Sequence, residues 1–385
     1  MQGNKKQELF VFLVIIGIAS FFRFYQLDTF LPGLETHAWL SKTLSAIIGV
    51  LTVIGIYSLT KELFEWRFAA ITSFLTAISF WHVNFSRLGS HDILLPFFIV
   101  FIFYFLWKGV KNAHLPSFFL AGIFNGLGFY AHPSHWFVQL IIVALFVNYW
   151  WYLKKDFDYS KYEHSKTKLL QGFSLFMIAT ILTALPIGVF LWTNPDFFFS
   201  QVGNSGLSVF SQNQPFQKLA QNIFKTLGMF NFSGDINPIY NIPGSPLLPW
   251  PIGIFFAVGF INELVHWLKR KHGHFSTVHT LIFAWFLAMI LPGFLSTDAP
   301  SSLRTIGALP VVMILSAKGV WWFFEKLNSW YQAHDPHSAG FFSKFKHRQK
   351  MTPRQHESHA ITALVVVVFL FSIGFMEYWR YFNEF

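Results

Sequence analysis

Runs of apolar residues long enough to cross a bilayer recur about eleven times along the 385-residue chain, at 8–24, 43–60, 67–84, 93–108, 115–130, 135–153, 169–192, 249–268, 277–296, 304–324 and 360–379. A helix rises about 1.5 Å per residue, so each run as a helix approaches or covers the ~30 Å hydrocarbon layer of a membrane. Helices also satisfy their own backbone hydrogen bonds, which lipid cannot do. So many runs cannot all be buried in one water-soluble core, and the composition agrees: 54% of residues are hydrophobic and only 12% charged, with a mean hydropathy of +0.45. The expected fold is therefore all-α, a single polytopic membrane domain over 1–385. Lys5 and Lys6 precede the first run and no small-residue cleavage site follows it, so this run is expected to stay as a membrane helix.

The formal charge of +10 could suggest a nucleic-acid partner, but its placement points elsewhere. With the N-terminus in the cytoplasm, alternate loops on that side gather Lys5 and Lys6, Lys61 and Arg67, Lys108 and Lys111, the lysines between 154 and 168, Lys269 to Lys271, and the cations from Lys326 to Arg354, in all 20 of the 28 Lys and Arg residues. The positive-inside rule then sets the N-terminus in the cytoplasm and the C-terminus outside, and no nucleic-acid partner is needed. Lacking cysteine, the chain has no disulfides and no thiolate metal sites.

Two connections stand out. Residues 194–248 form a long extracytoplasmic loop that mixes Asn, Gln, Ser, Gly and Pro with Phe; its length points to function and its aromatics to an ordered cap at the membrane interface. Residues 326–358 form a basic, histidine-rich cytoplasmic loop, read as a solvated or anionic-lipid-facing surface.

With this orientation, polar side chains collect at the outer ends of the helices: Asp28, Glu35 and His37 in the first loop, Arg87, His91 and Asp92 in the second, His132 and His135 in the third, Asp235 in the long loop, and Asp298 and Arg304 in the fifth. Ionisable groups at membrane depth are costly unless paired or solvated, so their convergence marks a candidate site. Arg87 and Arg304 could equally snorkel or pair with nearby acids. His132 and His135 could join His37 or His91 around a metal, but no carboxylate stands between them; capping or substrate contact is the expected role, and no metal or other cofactor is assigned.

The stretches "RFYQLDTFLPGL", "SFWHVNFSRLGSHDILLPFF", "FNGLGFYAHPSHWF", "KTLGMFNFSGDINPIYNIPGSPLL" and "STDAPSSLRTIGALPVV" resemble, in that order, prokaryotic protein O-mannosyltransferase-like glycosyltransferases of the GT-C class, glycosyltransferase family 39 and its aminoarabinose-transferase relatives. The first outer loop is shorter here than in that family. The resemblance implies a multi-pass enzyme of the cytoplasmic membrane that takes sugar from a polyprenyl-phosphate-linked donor on the outer face, among membrane lipids, for a protein, lipid or glycan acceptor. In the family the catalytic acid follows a "PGL"-like stretch, and Glu35 is the residue that matches, with Asp28 as its substitute.

The chemistry suits these residue types. An acceptor hydroxyl attacking the anomeric carbon must lose its proton, and a carboxylate within hydrogen-bond reach can take it. The phosphate leaves already ionised, so an inverting single displacement needs one carboxylate where a glycoside hydrolase uses two. Charge growing on that phosphate calls for cations, and the planar guanidinium of Arg304 or Arg87 fits the task. His132, His135, Asp235, Asp92 and His37 are then expected to line the sugar or acceptor pocket. Two other classes stay open: a GT-C-like scaffold that binds without catalysing, and a transporter of lipid-linked sugars. Transporters often carry internal repeats; none is clear here, and Glu263 is the only acid well inside an expected span.

Overall fold

The computed structural model describes residues 2–27, 39–156, 159–196, 208–269, 274–334 and 353–385, and among them there are helices and turns but no strand. Helices occupy all the expected apolar runs. In chain order they are α1 (Gln2–Phe24), α2 (Trp39–Leu63), α3 (Trp66–Ile78), α4 (Phe80–Arg87), α5 (Leu94–Asn112), α6 (Leu115–Gly128), α7 (Val138–Asp156) and α8 (Tyr159–Thr193). There follow α9 (Pro215–Gly228), α10 (Trp250–Leu268), α11 (His274–Leu295), α12 (Leu309–His334) and α13 (Pro353–Trp379). Among the described residues, eight helices are long and apolar enough to cross a membrane, and α3 with α4 makes a ninth that bends by 56°. α6 is shorter at 14 residues, and α13 fills the last expected run.

Local sequence explains several of the boundaries. Ser79, at φ −53° and ψ 122°, leaves the helical region between α3 and α4 and so produces the bend. Pro116, Pro215 and Pro251 stand in the first turns of α6, α9 and α10, where a missing N–H costs nothing. The outward helix faces stay apolar: Leu182 of α8 and Phe371 of α13 are 63% and 74% exposed. Such surface suits lipid rather than water.

Helix pairs approach closely where side chains vanish. A Cβ added to Gly259 of α10 would lie 1.8 Å from the Leu315 carbonyl oxygen, and one on Gly319 of α12 would lie 1.9 Å from that of Phe255. Small residues at such crossings let backbones pack where lipid offers no hydrophobic drive for association. Polar ties add to this. Arg23, fully buried in α1, donates to the carbonyls of Ala19 and Ala77 and to His82 Nδ1, binding α1 to the α3–α4 bend.

Both singled-out connections are more helical than the sequence suggested. Within 194–248, α9 stands against the end of α11, where Asn222 Nδ2 donates to the carbonyls of Phe294 at 3.1 Å and Ser296 at 2.7 Å. Within 326–358, α12 runs on to His334 and α13 starts at Pro353, which shortens the basic loop from both sides.

Candidate active site

The ends of α1, α4, α6, α8 and α11, and the starts of α2, α5, α7, α10 and α12, share one face when the helices alternate in direction. The candidate residues meet there in part. Asp92 lies in a short 3₁₀ turn (His91–Ile93) before α5, and His132 caps a second one (Pro133–Phe137) before α7. Their side chains come together: His132 Nε2 is 3.7 Å from Asp92 Oδ1, and His91 Nε2 is 3.9 Å from the same oxygen. These spacings are too long for a good direct hydrogen bond but short enough for electrostatic coupling or a bridging water.

His132 Nδ1 accepts the Ser134 backbone N–H at 3.0 Å. A neutral imidazole with Nδ1 as acceptor carries its proton on Nε2, on the side of Asp92. Burial lowers the His132 pKa to about 4; Asp92 pulls it up, while Arg304 and His91 push it further down. The ring is thus neutral near pH 7.

Arg304, with its side chain 17% exposed, stands in the turn before α12, and its Nη2 is 3.8 Å from the exposed carboxylate of Asp298. The Ser134 hydroxyl donates to the Arg304 carbonyl at 3.4 Å, joining the third and fifth loops. Tyr240, from the long loop, stacks on Phe85 with ring centroids 5.4 Å apart. Its phenol is raised by burial first and then by the Asp92 and Asp235 charges, with Arg304 opposing. One neighbourhood therefore contains Asp92, His132, Arg304 and Tyr240, drawn from four connections.

Asp235 has a different position from the one expected. It is 4% exposed; Oδ1 accepts the Asn237 N–H at 2.9 Å, and Oδ2 accepts both the Ser302 N–H and the Ser302 hydroxyl at 2.8 Å. The stretches "KTLGMFNFSGDINPIYNIPGSPLL" and "STDAPSSLRTIGALPVV" are thereby fastened to each other. Asn241 closes the loop by donating to the carbonyls of Asp235 and Ser245. Asp235 thus stands behind the site and holds the turn that bears Arg304.

Arg87 also departs from its expected donor-phosphate role. Its guanidinium donates to the carbonyls of Phe22, Tyr25 and Gln26 at the end of α1 and lies 5.3 Å from the ring centroids of both Tyr381 and Phe382. A helix end leaves its last carbonyls without partners, and a buried arginine supplies them. His135 turns inward as well: fully buried, its Nε2 bonds to the Asn125 carbonyl at 2.9 Å. The two histidines therefore do not face a common ligand, and among the described residues no three His, Asp or Glu side chains are spaced to share a metal ion.

Asp28, Glu35 and His37 lie outside the described residues. Their flanks are fixed on this face, by Arg87 at Tyr25 and Gln26 and by the Ser45 hydroxyl, which donates to the Ser90 carbonyl at 3.1 Å beside Asp92. Tyr240 and Ser302 are participants that the sequence alone did not single out; the only signal was that each sits inside a stretch already marked by resemblance.

Residues 34–183 match the family described as dolichyl-phosphate-mannose-protein mannosyltransferase, so the resemblance expected from the sequence is met over that stretch. No curated protein matches the chain. Among solved structures, archaeal oligosaccharyltransferase AglB from Archaeoglobus fulgidus, in complex with an inhibitory peptide and a dolichol-phosphate, is 17% identical with a TM-score of 0.49, over 87% of this chain and 44% of that one. A structure of the Archaeoglobus fulgidus oligosaccharyltransferase tethered with an acceptor peptide containing the NVT sequon is 18% identical with a TM-score of 0.48, over 88% of this chain and 43% of that one. The chain spans less than half the length of these structures.

Proposed function

We propose that this chain, matched over residues 34–183 by the mannosyltransferase family, is a membrane glycosyltransferase of the GT-C type that moves a sugar from a polyprenyl-phosphate donor to an acceptor hydroxyl on the outer face of the cytoplasmic membrane. The observation that carries this is the meeting of Arg304, His132, Asp92 and Tyr240 on the face where both flanks of residues 28–38 are anchored.

In this proposal Glu35, or Asp28 in its place, accepts the proton of the acceptor hydroxyl as its oxygen attacks the anomeric carbon. The bond from that carbon to the phosphate oxygen breaks with inversion, and the polyprenyl phosphate leaves as an anion beside Arg304. Neutral His132 can donate its Nε2 proton to a sugar oxygen while Asp92 accepts a sugar hydroxyl, and His37 contacts substrate from the first loop. Asp235 and Arg87 act indirectly, holding the Arg304 turn and the end of α1. The polyprenyl chain lies along the apolar outer faces of the helices.

The test is sugar transfer by purified protein in proteoliposomes supplied with a polyprenyl-phosphate sugar. Glu35→Gln or Asp28→Asn should abolish transfer, and full activity in both variants would remove these carboxylates from the reaction. Arg304→Ala should weaken use of the lipid phosphate donor, so that more donor is needed for half-maximal transfer; an unchanged donor dependence would take the phosphate role from Arg304. A protein that binds donor yet releases no polyprenyl phosphate would be a binding subunit instead.

A further inference from the structure

On the face opposite the candidate site, a cavity of about 480 Å³ opens among the end of α2, the start of α3, the end of α5, and α10, α11 and α12. None of its groups takes part in the reaction described above. At its base Glu263, 1% exposed, accepts from His279 Nδ1 at 2.7 Å and from Lys318 Nζ. The Lys318 ammonium also lies 4.9 Å from the Phe64 ring centroid. Lys111 bonds to Glu62 at 3.1 Å, and Trp321 Nε1 donates to Glu325 at 2.9 Å. Phe64, Phe68 and Trp321 form a continuous aromatic wall, with centroids 4.5 Å and 6.0 Å apart in succession.

We propose that this cavity binds a zwitterionic headgroup carrying a phosphate and a primary ammonium. The mixture of charges is the first reason. The lining sets the carboxylates of Glu62, Glu65 and Glu325 beside the ammoniums of Lys111 and Lys318, with Glu263 beneath Lys318. A lining that offers both signs, with carboxylates in excess, disfavours a purely anionic ligand and accepts one that brings an ammonium together with its phosphate.

Donor and acceptor capacity is the second reason. An ammonium has three N–H donors; Lys318 commits one to Glu263, and Lys111 directs its two bonds to Glu62. Each retains capacity for a phosphate oxygen, while His266, whose Nδ1–H donates to the Asn262 carbonyl, keeps Nε2 as an acceptor for the ligand's ammonium. Glu65 and Glu325 can accept from the ligand's ammonium, and the aromatic wall already holds one ammonium, that of Lys318.

Depth is the third. The cavity forms at the ends of the candidate spans Trp39–Leu63, His91–Asn112, Trp250–Leu268 and Ile306–Leu327, where headgroups lie and where Trp321 and Trp322 match the aromatic belt of a membrane interface. A phospholipid of that leaflet is the membrane source of this chemistry, and free phosphoethanolamine is the soluble one.

The experiment compares thermal unfolding of the delipidated protein in detergent with added phosphatidylethanolamine, phosphatidylcholine, phosphatidylglycerol or free phosphoethanolamine, alongside native mass spectrometry of retained lipid. The expected result is stabilisation and several-fold greater retention for phosphatidylethanolamine over the other two lipids, both lost in the Glu65→Gln, Glu325→Gln double variant. An equal shift with free phosphoethanolamine would uphold the site and assign it the soluble source. Equal effects of the three lipids, with none from phosphoethanolamine, would overturn the proposal. So would an ethanolamine preference that survives in the double variant; both substituted side chains are exposed at the rim, so the variant is expected to fold.

Discussion

Replacing Asp235 by alanine should loosen the turn that carries Arg304, and the structure allows the loss to be sized. The carboxylate takes three donors: the backbone N–H groups of Asn237 and Ser302, and the Ser302 hydroxyl. Asn237 is exposed and its N–H can turn to water, whereas Ser302 is fully buried and its N–H would be left without an acceptor. One buried orphan donor costs about 1–3 kcal/mol, and each lost hydrogen bond adds about 1 kcal/mol. Asp235→Ala should therefore destabilise by roughly 2–4 kcal/mol, and Ser302→Ala, which removes only the hydroxyl bond, by about 1 kcal/mol. A tenfold rate change corresponds to about 1.4 kcal/mol, so transfer should fall by roughly 5- to 30-fold in Asp235→Ala if half of the loss, about 1–2 kcal/mol, reaches the bound transition state. The assays are thermal unfolding in detergent and donor consumption in proteoliposomes. Asp235→Ala with the parent's unfolding temperature and a rate within about twofold of it would refute the fastening role, since the buried Ser302 N–H would then have lost nothing.

Three further outcomes follow from other parts of the structure. Arg87→Lys keeps the charge but not the fork that reaches the carbonyls of Phe22, Tyr25 and Gln26, so it should lower stability by about 2–3 kcal/mol in thermal unfolding. His132 has its pKa lowered from 6.5 to about 4, so the unfolded chain binds this proton first as pH falls. The stability from burying a neutral ring is then complete above about pH 6.5 and is lost progressively towards pH 4, and His132→Gln should flatten that limb of the unfolding-temperature profile. Gly259→Leu puts a side chain where even a Cβ would meet the Leu315 carbonyl; the variant should fail to accumulate as folded protein by size-exclusion chromatography.

The helices were legible because lipid demands long apolar runs, and nothing else in the sequence mimics them. The α3–α4 bend was not, since Ser79 lies among ordinary helix-compatible residues with neither proline nor glycine beside it. The meeting of the polar loops on one face followed from counting crossings. The aim of individual side chains did not: Arg87 and Arg304 are alike in sequence, yet Arg87 is on α4 beneath the end of α1 and spends its donors there, while Arg304 is on a turn beside His132. His132 and His135 stand three residues apart, and the 3₁₀ turn between them sends one toward Asp92 and the other toward Asn125. Asp235 begins an Asx turn in "DIN", a signal that local sequence does contain, but its link to Ser302, 67 residues away, is visible only in the fold.

The shared face can be tested by cysteine labelling, because the chain has no cysteine of its own. Thr36→Cys, Asp298→Cys and Lys269→Cys, each as a single variant in intact cells, would be exposed to a membrane-impermeant maleimide. Positions 36 and 298 should label from outside, and position 269 only after the membrane is permeabilised. Labelling of 36 and 298 from opposite sides would separate the proposed proton acceptor from Arg304 by the full thickness of the bilayer, and no single transfer site could contain both.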